Sequence, residues 1–169
     1  MSGKLSWVYF LLEENDADWR IKIGRTNNIP TRRRALQTGN SRPLMLLGWI
    51  RTRDGPAAEA ALHMKYAECN IGGAAKEWFF LQPADIALDL MRAGIDGFVA
   101  KNADAFEIVG CDKDAVPEYL GVWKWADFEL EECCPFCGCL CGLQFQEASQ
   151  MYHCRDCDAL ADFEEDLMA

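Results

Sequence analysis

The stretch WRIKIGRTNNIPTRRRALQTGN, residues 19–40, brings six basic side chains into sixteen residues of a chain whose formal net charge is -10. A guanidinium fork matches two phosphate oxygens at once, whereas an ammonium acts as a point charge. Arg32, Arg33 and Arg34 are consecutive on one predicted helix, so at most one or two of them face the same cleft. Arg32 is the one expected to hold a phosphate, with Arg25, Arg33 and Arg34 on flanking nucleic-acid backbone or in solvent. Tyr9 and Lys22 lie on strands expected to pair, which lets their side chains share one face and one pocket. Glu59 and His63 are four residues apart on a second predicted helix and stack on one side of it. A lone carboxylate there suits Mg2+, which takes one or two carboxylates and completes its shell with phosphate oxygens and water. Each residue also has a plainer use. Tyr9 can be a core aromatic, Glu59 a solvated charge, and His63 a packed imidazole, an orienting partner of Glu59 or a phosphate contact.

A second set of chemical residues lies near the C-terminus, where seven of the nine cysteines fall between residues 133 and 157. Cys134 and Cys137 form one CxxC pair, and after sixteen residues Cys154 and Cys157 form another. Two such pairs supply four thiolates, the ligand set of a closed, structural Zn2+ site of the zinc-ribbon kind. The glycine of CPFCG suits a knuckle in which backbone N–H groups approach sulfur. The stretch LQFQEASQMYHC reads as a hairpin that alternates Leu143 and Phe145 with Gln144 and Gln146. Cys133, Cys139, Cys141 and His153 are surplus donors, any of which can replace a chosen ligand. A fold of roughly 30 residues needs such a metal to be stable.

The elements that must position these residues follow from pattern. LSWVYFLL (5–12) is apolar at consecutive positions and suits a central strand, and WRIKIG (19–24) alternates as a half-buried strand antiparallel to it. NNIPT opens a helix with Pro30 in its first turn, RRRALQ continues it, and Gly39 ends it. LMLLGWIRT (44–52) is a third strand. Asp54 caps the helix GPAAEAALHMKYAEC, whose inward stripe is Ala58, Leu62, Lys65 or Tyr66, and Cys69. KEWFFL (76–81) is a short strand or extended segment, and PADIALDLMRAG (83–94) is a helix opened by Pro83 and closed by Gly94. This order predicts an α+β unit over residues 1–95. An aromatic connecting segment over 96–129, with FEIVG as a strand, is expected to pack on a neighbour, and a zinc-binding module with the acidic tail DFEEDLMA fills 130–169.

Charge separates the two ends. Residues 1–53 carry ten Lys or Arg against four Asp or Glu, while residues 54–169 carry seven against 23. An acidic chain with one basic corner argues for a local phosphate site rather than a nonspecific nucleic-acid coat. From Glu129 onward there are ten acidic residues and one Arg, so the cysteine module is expected to meet protein, as a partner surface or in a homodimer, rather than phosphate backbone. No apolar run reaches the ~18–20 residues of a membrane span, and the N-terminus lacks a signal layout, so a cytoplasmic protein without membrane contact is expected.

The ordered markers Val8-Tyr9, Lys22-Ile23-Gly24, Arg32, Leu36, Thr38-Gly39-Asn40, Glu59, Leu62-His63 and Glu77-Trp78-Phe79 resemble the GIY-YIG nuclease superfamily, in the branch found in phages and bacteria. Two positions depart from its pattern: Trp7 stands for a glycine and Lys22 for a tyrosine. The resemblance implies a three-stranded antiparallel sheet flanked by helices, and a metal-dependent endonuclease acting on DNA more readily than RNA. It further implies Tyr9 as general base, Lys22 and His63 as supporting groups, Arg32 as phosphate clamp, and Glu59 as ligand to Mg2+ or Mn2+. The alternative is a catalytically weak scaffold that binds nucleic acid or protein as a regulator.

Overall fold

Strand β1 (Ser6–Glu13) carries apolar side chains at consecutive positions, and Val8 through Leu12 are almost wholly buried. Both of its faces are covered, which is why WVYFLL shows no polar alternation. It pairs antiparallel with β2 (Arg20–Thr26) on one side and β3 (Leu44–Thr52) on the other. The computed structural model describes residues 4–13, 18–100, 108–111, 117–119, 129, 131–134 and 136–161.

The sheet has five strands, in the order β4-β2-β1-β3-β5, and this corrects the expected three. The two outer strands, β4 (Trp78–Phe80) and β5 (Gly97–Val99), are three residues each, too short to display a period of two. Only their pairing with β2 and β3 defines them. β5 lies just beyond residue 95.

The first and third helices begin and end where local signals place them, but the second, expected to reach Cys69, ends at Lys65 and gives way to a single 3-10 turn over Ala67–Cys69. In α1 (Ile29–Thr38) the Asn28 side chain accepts from the Thr31 N–H at 2.9 Å, and the helix stops at Gly39. In α2 (Gly55–Lys65) Asp54 accepts from the Ala57 N–H at 3.1 Å. Helix α3 (Pro83–Ala93) opens on Pro83 and stops at Gly94. The Asn28 and Asp54 side chains each satisfy a backbone N–H that has no carbonyl partner within the helix.

Alternation sorts the side chains to two faces. Val8, Phe10, Leu12, Ile21, Ile23 and Leu47 face α2 and α3, which contribute Leu62, Ile86 and Leu90. Burying each such side chain stabilises the fold by about 1.5–3 kcal/mol relative to exposure. On α2 the inward stripe continues through Tyr66, while Lys65 is exposed. On the opposite face Tyr9, Leu11 and Leu46 pack with Trp49 under Ile29 and Leu36 of α1.

Beyond the sheet, β6 (Ile108–Cys111) pairs with β7 (Pro117–Tyr119), so the last three residues of the expected FEIVG strand lie in a strand and its first two fall outside the described residues. Most of VPEYLGVWKW, expected to pack on a neighbour, lies outside the described residues, as does the acidic tail. The cysteine module holds a three-stranded sheet, β10-β9-β8, built from β8 (Gln144–Gln146), β9 (Met151–His153) and β10 (Leu160–Ala161). Its hairpin buries Leu143 but leaves Phe145 half exposed, edge-on to Tyr152.

This module continues the main sheet's edge. Phe98 bridges to Cys139, the Val99 N–H donates to the Gly138 carbonyl at 2.7 Å, and the Leu140 N–H donates to the Gly97 carbonyl at 3.0 Å. The Phe98 ring stacks on Trp49 and is packed against Cys134, Cys139, Leu143 and Cys154. No helix among the described residues is long and apolar enough to cross a membrane. Because Phe98 sits in the packing of the cysteine module and stacks on Trp49, which packs on the sheet as well, Phe98→Ala is expected to cost about 3–5 kcal/mol. The sheet and the cysteine module are expected to lose stability together, as urea unfolding followed at both parts would show.

Candidate functional site

Tyr9 stands in the middle strand with Gly24 opposite it on β2 and Trp49 opposite it on β3. A Cβ at Gly24 would lie 2.5 Å from the Tyr9 hydroxyl oxygen and 2.7 Å from Cζ, so only glycine leaves room for the ring. The phenol thereby reaches across β2 toward α1, where the Arg32 Nε–H donates to its oxygen at 3.2 Å. Ile29 and Leu36 pack on the cluster around Tyr9 and, at helical spacing, hold Arg32 on the same side of α1. Burial pushes the Tyr9 phenol above its ordinary value, more than the Arg32 bond and charge lower it. Tyr9 is therefore a neutral hydroxyl at pH 7. The Arg32 guanidinium gains from the same bond and is held above its usual range.

Lys22 lies two residues before Gly24 and shares the face of Tyr9, between Leu11 on β1 and Trp78 on β4. Its ammonium is ion-paired to Glu77 and sits 5.4 Å from the centre of the Trp78 ring. Only 7% of the Lys22 side chain is exposed, a depth at which a charge needs a counter-charge. The bond from Lys22 holds the Glu77 carboxyl below its ordinary range, against the opposing effect of burial.

Glu59 and His63 come from α2, which covers the other face. The Glu59 carboxylate accepts from Arg25 Nε–H at 2.9 Å. His63 Nε2 is 2.9 Å from the Ile23 carbonyl oxygen, and the ring lies 5.2 Å from that of Phe79. A carbonyl only accepts, so the proton sits on Nε2 and Nδ1 is the free acceptor.

Arg25, Glu59, His63, Lys76 and Glu77 line one open hollow, and Lys22, Lys76, Glu77 and Trp78 line the hollow beside it. The two share Lys76 and Glu77 and so form one groove at the β2–β4 edge. Both the Glu59 and Glu77 carboxylates act electrostatically on Tyr9 and on Arg32. Of the five expected site residues, Lys22, Glu59 and His63 line this groove, whereas Tyr9 and Arg32 do not line it and are linked to it by the electrostatic reach of Glu59 and Glu77. The flanking arginines divide: Arg25 is held by Glu59, Arg33 donates to the Leu44 carbonyl at 3.3 Å, and Arg34 is exposed.

Glu77 is the member of the groove that sequence reasoning does not place there. Its signal was indirect. A lysine on an alternating strand of a mostly buried sheet needs an acid beside it, and Glu77 immediately precedes the only remaining short apolar strand before α3.

In the cysteine module the Sγ atoms of Cys134, Cys137, Cys154 and Cys157 all lie within 4.8 Å of one another, placed to hold a metal ion such as zinc. The Cys134–Cys157 and Cys137–Cys154 separations are 3.9 and 3.8 Å. These match the edge of a tetrahedron of Zn–S bonds of about 2.3 Å, roughly 3.8 Å. Each pair closes a knuckle on a left-handed residue, Gly138 at φ 80° and Asp158 at φ 57°. The N–H groups of Phe136 and Cys139 donate to the Cys134 and Cys137 sulfurs, each at 3.4 Å. Burial would raise the Cys154 thiol, but backbone N–H groups of Cys157 and Asp156, with neighbouring thiols, bring it down to about 6.

A family model described as the T5orf172 domain matches residues 6–92, and no GIY-YIG model matches. The resemblance to the GIY-YIG superfamily is therefore corrected. Every marker on which it rested falls inside residues 6–92, and the two departures, Trp7 and Lys22, stand at that superfamily's naming motifs. The T5orf172 domain is a nuclease-like, DNA-binding domain family, with which a nucleic-acid-related function is consistent. No curated protein and no solved structure matches the chain.

Removing the partner of Lys22 tests the groove's electrostatics. Glu77→Gln is expected to lower stability at pH 7 by about 1–3 kcal/mol, less than the ~3–5 of a fully buried pair because Glu77 is 42% exposed. A carboxyl with a lowered folded-state pKa stabilises above its unfolded value, near ~4.3, and loses that contribution as pH falls through the folded value. The gap between wild type and variant in urea unfolding is thus expected to shrink from pH 7 to about pH 3.

Proposed function

We propose, since this chain belongs to the T5orf172 domain family, that the groove at the β2–β4 edge binds a nucleic-acid phosphodiester, DNA foremost, and hydrolyses it with a divalent cation. The observation that carries the reading is the contact between a buried phenol and an exposed guanidinium, with two carboxylates close enough to act on both.

Arg32 spends one N–H on a neutral hydroxyl, so its charge is not cancelled and its remaining N–H groups are available for phosphate oxygens. Lys22 lies on the same face, its charge met by Glu77. Glu59 and Glu77 line one open hollow, and Glu59 is the residue that would hold Mg2+ or Mn2+, hard ions that take one or two carboxylates along with phosphate oxygens and water. Such an ion, when bound, offsets charge on the phosphoryl group and on the leaving oxygen. Arg25 supplies the positive charge beside Glu59 before that. Tyr9 takes the proton of the attacking water, and Arg32 favours the phenolate that this requires. His63 holds α2 against the Ile23 carbonyl and so fixes the position of Glu59, one helical turn earlier. Arg34 and Arg25 meet the flanking backbone. The cysteine module serves as structure and as a surface for protein.

The test is cleavage of single- and double-stranded DNA and RNA by purified protein with Mg2+ or Mn2+. Activity is expected to need the ion and to fall by about 10²–10⁴-fold in Tyr9→Phe, Arg32→Ala and Glu59→Ala, with folding kept. Because the Tyr9 phenol is raised above its ordinary ~10, its basic form grows about tenfold per pH unit below that value, and the rate is expected to climb between pH 7 and 9. Tyr9→Phe is expected to flatten that climb. Metal-independent DNA binding with no cleavage of any substrate would replace the enzyme by a binding module.

A further inference from the structure

The C-terminal module holds more thiols than one tetrahedral ion uses. Cys139 and Cys141 stand outside the Cys134, Cys137, Cys154 and Cys157 set, yet the Cys139 sulfur is 3.7 Å from that of Cys154. That separation is the same tetrahedral edge, roughly 3.8 Å, found within the four-thiol set. Cys141 lies 2.6 Å from Cys139, and the sulfurs of Cys139, Cys141 and Cys154 all fall within 4.8 Å of one another. Cys137 and Cys139 are also grouped within 4.8 Å. Cys139 therefore faces both Cys137 and Cys154, members of opposite CxxC pairs.

We propose that the module binds two thiophilic ions as one cluster. Cys134 and Cys157 are terminal ligands of the first ion, Cys139 and Cys141 are terminal ligands of the second, and Cys137 and Cys154 bridge the two. Each ion is then four-coordinate, and all six thiolates are used. Six thiolates with two divalent ions carry the same net charge as four thiolates with one, so the second ion adds no charge to the buried site. It also gives a metal bond to Cys139, which is wholly buried. Soft thiolate ligands select zinc and its congeners cobalt and cadmium over hard ions such as Mg2+. Cys139 and Cys141 are free thiols. Binding would open them toward about 3.8 Å, and half-buried Cys141 has solvent on one side to do so.

The experiment is a metal count on the full chain. Reduced, metal-free protein is titrated with Co2+ and followed by sulfur-to-cobalt charge-transfer absorption, which carboxylate sites do not produce, and native mass spectrometry counts the bound ions. Two sulfur-bound ions per chain are expected, falling to one in both Cys139→Ser and Cys141→Ser. Saturation at a single sulfur-bound ion, an unchanged count of two in both serine variants, or a Cys139–Cys141 disulfide in the loaded chain overturns the proposal. Should a serine variant fail to fold, cadmium NMR of the wild-type chain decides alone. A pair of thiolate-bound resonances supports the cluster, and a single resonance overturns it.

Discussion

An ammonium group taken out of water stays charged only beside an opposite charge, and Lys22 imposes this condition at the centre of the groove. Glu77 answers it from the residue before β4. The consequence runs along three consecutive positions of β2. Lys22 binds Glu77, Ile23 offers its N–H to the Glu77 carbonyl and its carbonyl to His63, and Gly24 leaves the space that Tyr9 occupies. One short stretch of strand thus ties an edge strand, the covering helix and the central strand to a common point. The groove exists because these ties meet there.

The charges around that point are unequal in a useful way. Glu77 is matched by Lys22 and Glu59 by Arg25, so each carboxylate has a cationic neighbour. Arg32 instead bonds to an uncharged phenol, and an uncharged partner leaves its positive charge to be met by an incoming anion.

The cysteine module is bound to the same sheet through β5. The outer side of β5 would be an open edge of unpaired backbone groups, and the knuckle at Gly138 to Leu140 covers it with hydrogen bonds of its own. Free energy gained when metal binds thiolates is then also free energy of folding for the strand they lean on. Phe98, buried between Trp49 and the sulfurs, is where the two packings join.

Helix starts, the three long strands and the two CxxC pairs were legible in the sequence because each rests on neighbours in the chain, while the sequence pattern carries α2 four residues past its end at Lys65. A cap reaches three residues, a strand shows its period over several, and a knuckle spans four. The short strands β4 and β5 were not legible as sheet members, because three residues carry no period and pairing with a distant strand is what makes them strands. The likeness to GIY-YIG nucleases failed for a related reason: Tyr, Arg and Glu at separate motifs suit phosphate chemistry on more than one fold, and they do not settle the family. Residue types by themselves determined an α+β unit with a phosphate-suited basic corner and a thiolate metal module. Only the folded chain decided that Glu77 guards Lys22 across fifty-five residues, that Arg25 holds Glu59, and that Cys139 stands beside Cys154. Those contacts depend on strand order and on which helix covers which face, and neither is written in any local run of residues.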